Sequence, residues 1–108
     1  MKKIYLLLWC LPILGFAQTH TVTFQVNTQN ITVGPNGIYA GGGVLGGSNA
    51  IALSDPDADG VWEGSTQVSG AGGGHFIFLN SPNGSADWGT KENLAGKPCA
   101  DPANYNDR

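Results

Sequence analysis

Alternation of hydrophobic and polar positions is clearest near the start of the chain, over residues 20–27. Val22, Phe24 and Val26 alternate with threonine and glutamine. Successive side chains of a β-strand point to opposite faces, so the three apolar residues would share one face. The pattern predicts a half-buried first strand.

Four further short runs predict strands, and turns rich in Gly, Pro, Asp and Asn separate them: residues 38–40, 50–53, 61–68 and 75–79. The last of these runs is continuously apolar or aromatic, which is typical of a central strand buried on both faces. The third and fourth runs flank an Asp-rich loop and are predicted to form a hairpin. Trp88 is predicted to open a last partial strand, with a polar, irregular tail from Ala95. Strands at this spacing favour an all-β antiparallel sandwich over a small barrel.

The N-terminus has the layout of a bacterial secretory signal peptide. Lys2 and Lys3 precede an apolar run, and small residues stand at Gly15 and Ala17. We predict cleavage before Gln18, which leaves residues 18–108 as one exported module. The apolar run is too short for a stable bilayer anchor, so the cleaved chain is predicted to be secreted or held at the cell surface without a membrane span.

Charge and cysteine content narrow the possible partners. The net charge is −3, and only Lys91, Lys97 and Arg108 are basic after residue 17. Nucleic acid is excluded as a partner because it requires clustered cations.

Cys99 stands alone in the exported part, and unpaired thiols are uncommon in oxidising compartments. We therefore expect that the sequence is the N-terminal fragment of a longer protein and that the module within it is monomeric.

The loop before the fourth strand places Asp55, Asp57 and Asp59 at alternate positions. This spacing lets a tight loop direct several oxygens at one hard cation, and Glu63 could add a fourth. Calcium is the predicted ion. The alternative is a turn in which the aspartates cap backbone amides.

Nothing in the sequence predicts catalysis. Residues 41–46 match G-x-G-x-x-G formally, but no room for a following helix exists, so the glycines predict a flexible loop. His20 and His75 fit no metal or nucleophile pattern, and His75 is predicted to be a residue at a strand edge. No catalytic residue is predicted.

Trp88 is the strongest candidate for ligand binding among the aromatic residues, which also include Trp62, Tyr39 and Tyr105. It lies between the polar loop 80–87 and the segment 89–93. Sugar rings present apolar faces that stack on indoles, while amides and charges bind their hydroxyl groups. Asn93, Lys91 and Glu92 follow closely and are the predicted polar partners of a saccharide.

Residues 21–93, with the first strand, the Ser54–Glu63 hairpin, the aromatic strand and the late tryptophan, resemble the starch- and glycogen-binding type of immunoglobulin-like module. The versions most similar to this chain occur in secreted bacterial proteins with a type IX secretion sorting domain. The resemblance implies an immunoglobulin-like sandwich. It also maps a tryptophan and an asparagine five positions later onto Trp88 and Asn93.

The segment 91–108 is similar to a subgroup of these modules in which another strand and another cysteine follow. This similarity implies a sandwich that is incomplete at its C-terminus, and a disulfide from Cys99 to a residue beyond the sequence. Two departures are visible: residues 43–46 replace a Phe-x-x-Trp segment, and Leu79 replaces a lysine. The expected function is noncatalytic polysaccharide binding. The alternative is a structural or adhesion spacer without a glycan ligand.

Overall fold

The computed structural model describes residues 18–69 and 74–108. The predicted signal peptide, residues 1–17, lies outside the described residues, as do residues 70–73. Within the described ranges, the regular elements are five strands and two short 3-10 helices: β1 (Thr19–Asn27), β2 (Ile38–Gly41), the helix Gly43–Leu45, β3 (Ile51–Ala52), β4 (Val61–Ser69), β5 (Ile77–Asn80) and the helix Pro102–Asn104. The prediction of an all-β fold is confirmed. In the described part of the chain, no helix has the length and apolarity needed to cross a bilayer.

Strands β1 and β4 form an antiparallel two-stranded sheet whose register runs from Thr19 opposite Ser69 to Asn27 opposite Val61. Phe24 is buried on the inner face, as the alternation predicts. The outer face is polar, and a hydroxyl pair between Thr23 and Ser65 spans 2.9 Å across the strands. Such cross-strand pairs help to fix the register of an exposed sheet face.

The second sheet is also antiparallel and has the order β3-β2-β5. Its outer edge at β5 is extended by a bridge between Leu79 and Lys91. The Asn80 N–H donates to the Thr90 carbonyl at 3.1 Å, and the Glu92 N–H donates to the Phe78 carbonyl at 2.9 Å. The predicted partial strand therefore exists as a short pairing centred on Lys91, and it places β5 in the interior of the sheet.

The two sheets share one apolar core, to which β1 contributes Phe24 and the second sheet contributes Ile38, Ala40 and Phe78, with Leu53 beside them. Phe24 and Phe78 also pack edge to face, with ring centroids 6.5 Å apart. Each buried large apolar side chain stabilises the fold by about 1.5–3 kcal/mol. Most of the stability of this small fold therefore comes from a few residues.

A second apolar cluster covers the opposite face of β5, where Ile77 and Leu79 pack against Leu94 and Ala100. The prediction that this strand is buried on both faces is confirmed. Phe76, which directly precedes β5, exchanges two backbone hydrogen bonds with Arg108. They hold the last residue of the sequence beside the start of β5.

The third and fourth strands, predicted to form a hairpin, are joined by a short backbone pairing. Ser54 and Glu63 exchange two backbone hydrogen bonds of 2.9 Å, which form an isolated bridge across the Asp-rich loop. Beyond it, β4 pairs with β1 over nine residues. The long ladder with β1 satisfies many more backbone groups than a continued pairing with the two-residue strand β3 could.

The prediction of an irregular tail is also only partly right. Asp101 caps the 3-10 helix Pro102–Asn104 by accepting a hydrogen bond from the Ala103 N–H, and a bridge joins Asp101 to Asp107. Local side-chain caps of this kind order a segment that has little hydrophobic pattern.

Candidate functional site

A cleft of about 390 Å³ lies beside the second sheet, lined by residues from three distant segments: Gly42, Gly43, Gly46, Trp88, Lys91, Tyr105 and Asp107. Its size falls within the range of small-ligand sites, which combine apolar walls with a few directed polar groups.

Trp88 is held at the cleft by an anchored loop. Ser48 is fully buried, and its hydroxyl donates to the Gly84 carbonyl and accepts from the Asp87 N–H at 3.1 Å. The Asp87 carboxylate in turn accepts from the Gly89 N–H at 3.2 Å. Both neighbours of Trp88 are therefore fixed, which limits the positions that the indole can take.

The glycine-rich segment forms the surface on which this indole rests. A Cβ atom built on Gly42 would lie 3.5 Å from Cζ3 of Trp88, so the backbone of the loop approaches the ring closely. The indole is still 40% exposed. The segment contains only the three-residue 3-10 helix Gly43–Leu45. Phosphate binding by a G-x-G-x-x-G motif requires the N-terminus of an α-helix, and this segment does not supply one. The glycines predicted to form a flexible loop thus pack their backbone against neighbouring groups.

Lys91 and Asp107 form the polar side of the cleft. The Lys91 ammonium donates to the Tyr105 carbonyl at 2.9 Å and lies 3.5 Å from Oδ1 of Asp107. Asp107 is 8% exposed, and its Oδ1 is buried and receives no hydrogen bond from the described residues. A buried carboxylate oxygen without a hydrogen bond is unfavourable, and the positive charge of the nearby Lys91 ammonium offsets part of that cost.

Tyr105 projects into solvent at the mouth of the cleft with 83% exposure. Its backbone is left-handed, with φ 57° and ψ 26°, at the end of the helix Pro102–Asn104. A bulky residue rarely adopts this conformation, and residues held in such conformations concentrate at binding sites. Tyr105 is thus a second aromatic residue at the cleft.

The structure brings together two of the four residues predicted to bind a saccharide, Trp88 and Lys91. Asn93 does not line the cleft, and its Oδ1 accepts a hydrogen bond from the Ala95 N–H at 3.2 Å. Glu92 does not line it either, because its two oxygens accept from the Arg108 guanidinium at 2.7 and 2.8 Å. This hydrogen-bonded pair raises the pKa of Arg108 above its ordinary value.

Asp107 is the residue that sequence reasoning missed. It belongs to no motif and stands more than sixty positions from Gly42, the cleft residue whose added Cβ would lie 3.4 Å from its Oδ2. Only the packing of the C-terminal segment on β5 brings the two together.

The Asp-rich loop brings Asp55, Asp57 and Asp59 together, with carboxylate oxygens within 4.8 Å of one another. Asp55 also accepts from the Asp59 and Gly60 N–H groups at 3.1 and 3.0 Å, so the capping role is present as well. Glu63 lies outside this group of three, and its Oε2 accepts from the Gln25 amide at 2.9 Å.

The titration of these aspartates reflects their closeness. Desolvation acts to raise the pKa of Asp55, but hydrogen bonds from the Gly60 N–H and the neighbouring aspartates bring it below the ordinary value. The pKa of Asp57 is raised, first by its hydrogen bond with Asp55, then by desolvation and by the charge of Asp59. A divalent cation would relieve this repulsion.

His75 precedes β5, and its Nε2 lies 2.8 Å from Oδ2 of Asp101. Hydrogen bonds from Asn104, the Ala103 N–H and His75 lower the pKa of Asp101. Neither His75 nor Asp101 lines the cleft. Cys99 is exposed and is a free thiol within the part of the chain that the structure describes.

Comparisons with protein-family models, with curated proteins and with solved structures find no match to this chain.

Proposed function

We propose that the chain is a noncatalytic carbohydrate-binding module of a secreted bacterial protein, and that a polysaccharide binds in the cleft at Trp88. The observation that carries the proposal is the half-exposed indole, fixed between anchored residues and facing a cleft that Lys91 and Tyr105 also line. An aromatic platform next to directed polar groups is the arrangement that sugar rings require.

A binding role is favoured over a hydrolytic one by the charged groups of the cleft. Glycoside hydrolysis ordinarily uses two carboxyl groups that flank the scissile bond. Among the described residues that line the cleft, Asp107 is the single carboxylate. The proposed role of the cleft is therefore binding alone.

The immunoglobulin-like form of the sandwich is part of the same proposal. Its support is the stacking of two antiparallel sheets around the core that contains Phe24 and Phe78, together with the sequence resemblance. Export through the predicted signal peptide, the disulfide of Cys99 beyond the sequence, and calcium at the Asp loop stay predictions.

Affinity electrophoresis tests the proposal. The purified chain is run through gels that contain starch, laminarin, xylan, mannan, alginate or carrageenan. We expect retardation by at least one of these, and its loss in Trp88→Ala because the stacking surface disappears. Trp62→Phe is the matched control, since Trp62 packs against the core and does not line the cleft.

The alternative is a spacer or adhesion domain without a glycan ligand. Free migration of the wild-type chain through all six gels would favour it and overturn the proposal. Retardation that survives in Trp88→Ala would show that a sugar binds elsewhere on the surface.

A further inference from the structure

The tripeptide Pro-Asn-Gly occurs twice in the sequence, at residues 35–37 and 82–84. The two copies are in contact in the fold, because Nδ2 of Asn36 donates to Oδ1 of Asn83 at 3.1 Å. Both asparagines are exposed to solvent. An asparagine before glycine loses its side-chain amide without any enzyme, since glycine has no Cβ to obstruct the following nitrogen. With the same local sequence, the hydrogen bonds of the fold decide which copy reacts.

The reaction begins when the glycine backbone nitrogen gives up its proton and attacks Cγ of the asparagine. A C–N bond forms, the Cγ–Nδ2 bond breaks, and ammonia departs with the proton, which leaves a five-membered succinimide ring. Water then opens the ring at one of its two carbonyls. Opening at Cγ gives aspartate, whereas opening at the main-chain carbonyl gives isoaspartate, whose backbone contains an additional methylene group.

The fold holds the first copy in place through several hydrogen bonds. The Asn36 N–H donates to the Ser81 hydroxyl at 2.7 Å, and the Gly37 N–H donates to the Gly34 carbonyl at 3.1 Å. Nδ2 of Asn36 also donates to the Pro82 carbonyl at 3.2 Å. The attacking nitrogen and the leaving group are thus both engaged, so several of these hydrogen bonds must break before ring closure.

The second copy lacks this protection. Within the described residues, the Gly84 N–H and Nδ2 of Asn83 donate no hydrogen bond. A Cβ built on Gly84 would meet no atom within 4 Å, so no neighbour crowds the backbone there. Oδ1 of Asn83 becomes the oxyanion during the attack, and the Asn36 amide already donates to it. A donor at that position stabilises the developing charge.

Conversion of Asn83 would disturb the loop that carries Trp88. The Asn83 N–H donates to Oδ2 of Asp87 at 2.9 Å, and the Gly84 carbonyl accepts from the buried Ser48 hydroxyl. An additional methylene between residues 83 and 84 shifts these two groups relative to each other, so the two hydrogen bonds lose their geometry. The aspartate product instead places a second negative charge beside the Asp87 carboxylate.

We propose that Asn83 is a site of spontaneous deamidation in the folded protein, that the fold protects Asn36 from the same reaction, and that the conversion loosens the Trp88 loop. This inference goes beyond the proposed function and does not depend on a glycan. Because several hydrogen bonds must break before Asn36 reacts, we expect Asn83 to deamidate roughly 100-fold faster in the native chain.

Peptide mapping of the purified chain tests the proposal. The chain is incubated at mildly alkaline pH, once in native buffer and once in guanidinium chloride, and is sampled over several weeks. Cleavage after Glu63 by Glu-C and after Lys91 by trypsin places the two asparagines on different peptides, which mass spectrometry follows separately. In native buffer the Asn83 peptide should convert first. In guanidinium chloride, where the hydrogen bonds of the fold are absent, both peptides should convert at similar rates.

Asn83→Gln is the matched variant, because it keeps the amide while its longer side chain disfavours ring closure. The melting midpoint of aged wild type should fall by about 4–8 °C, the effect of losing about one hydrogen bond. The midpoint of aged Asn83→Gln should stay constant. If this variant shows no cooperative thermal transition, the wild-type midpoint is compared with the fraction of Asn83 converted.

Deamidation of Asn36 as fast as that of Asn83 in the native chain would overturn the proposal. So would an Asn83 that stays intact in native buffer while it converts fully in guanidinium chloride. A constant midpoint in fully converted wild type would overturn the link to the Trp88 loop. None of these outcomes bears on glycan binding, which affinity electrophoresis of the fresh chain tests separately.

Discussion

The glycine-rich loop allows a sharp test of whether its backbone is packed or merely flexible. Gly43 and Gly46 both line the cleft and both have positive φ, 51° and 102°. They differ in their surroundings, since a Cβ on Gly43 would overlap the His75 carbonyl, whereas a Cβ on Gly46 would have no neighbour within 4 Å. Alanine at the two positions therefore compares a site where a Cβ overlaps the packed backbone with one where it meets open space.

The expected magnitudes follow from this difference. Gly46→Ala should lower the free energy of unfolding by about 1–3 kcal/mol, because its φ of 102° and ψ of −121° are strongly disfavoured for a residue with a side chain. Gly43→Ala, at φ 51°, should lose about 1–2 kcal/mol for its backbone conformation. It also displaces the His75 carbonyl, which accepts from the Val44 N–H at 3.2 Å. The lost hydrogen bond adds about 1 kcal/mol and the crowding about 1–3 kcal/mol, for a total of roughly 3–6 kcal/mol.

Urea denaturation and thermal melting of the two variants measure these values. For a domain of this size, each 1 kcal/mol moves the melting midpoint by about 4–8 °C. The midpoint of Gly43→Ala should lie several degrees below that of Gly46→Ala. Equal midpoints would refute the packed loop and restore the flexible one.

Four further outcomes are expected. Ser48→Ala should lower the free energy of unfolding by about 1–3 kcal/mol and weaken glycan binding, measured by melting and affinity electrophoresis, because the anchor of the Trp88 loop is lost. Glu92→Gln should lower the free energy of unfolding, measured by urea denaturation, by about 1–2 kcal/mol. Its glycan affinity should stay within about twofold of wild type, since Glu92 bonds Arg108 outside the cleft. The pKa of Asp101 is lowered in the folded state, so its ionised carboxylate stabilises the fold above the ordinary pKa of 3.8, and this stability is lost as pH falls through the folded value. The melting midpoint of Asp101→Asn should therefore depend less on pH below about pH 4 than that of the wild type. Millimolar calcium should raise the wild-type midpoint by several degrees and leave Asp57→Asn unchanged; equal shifts in both proteins would contradict the calcium prediction.

The strands were largely predictable because their signals are local. Phe24 marks the buried face of an alternating strand, and the apolar run that contains Ile77 marks a strand buried on both faces. The Ser54 to Glu63 hairpin was not predictable in its extent, because sequence proximity favours it whereas the structure depends on the competing ladder between β1 and β4. The pairing of β4 therefore depends on a strand distant in sequence, β1, and not on its neighbour β3.

The site was predictable only where its residues are neighbours in sequence. Trp88 and Lys91 stand within one short segment with visible chemistry, and both line the cleft. Asn93 and Glu92 share that segment but are engaged elsewhere, because Asn93 accepts from the Ala95 N–H and Glu92 accepts from the Arg108 guanidinium. Asp107 depends on the packing of a polar segment whose order comes from caps and turns, which leave almost no periodic trace.

The cleft is assembled from segments that begin near residues 42, 88 and 105, and it has no counterpart in the unfolded chain. A ligand of this cleft would therefore bind the native state alone, and its affinity would appear in full as resistance to heat. At a free-ligand concentration one hundred times the dissociation constant, the free energy of unfolding rises by about 2.7 kcal/mol, which corresponds to an increase of about 10–20 °C in the melting midpoint. Melting curves recorded across a library of oligosaccharides could thus identify the ligand without any assay of activity.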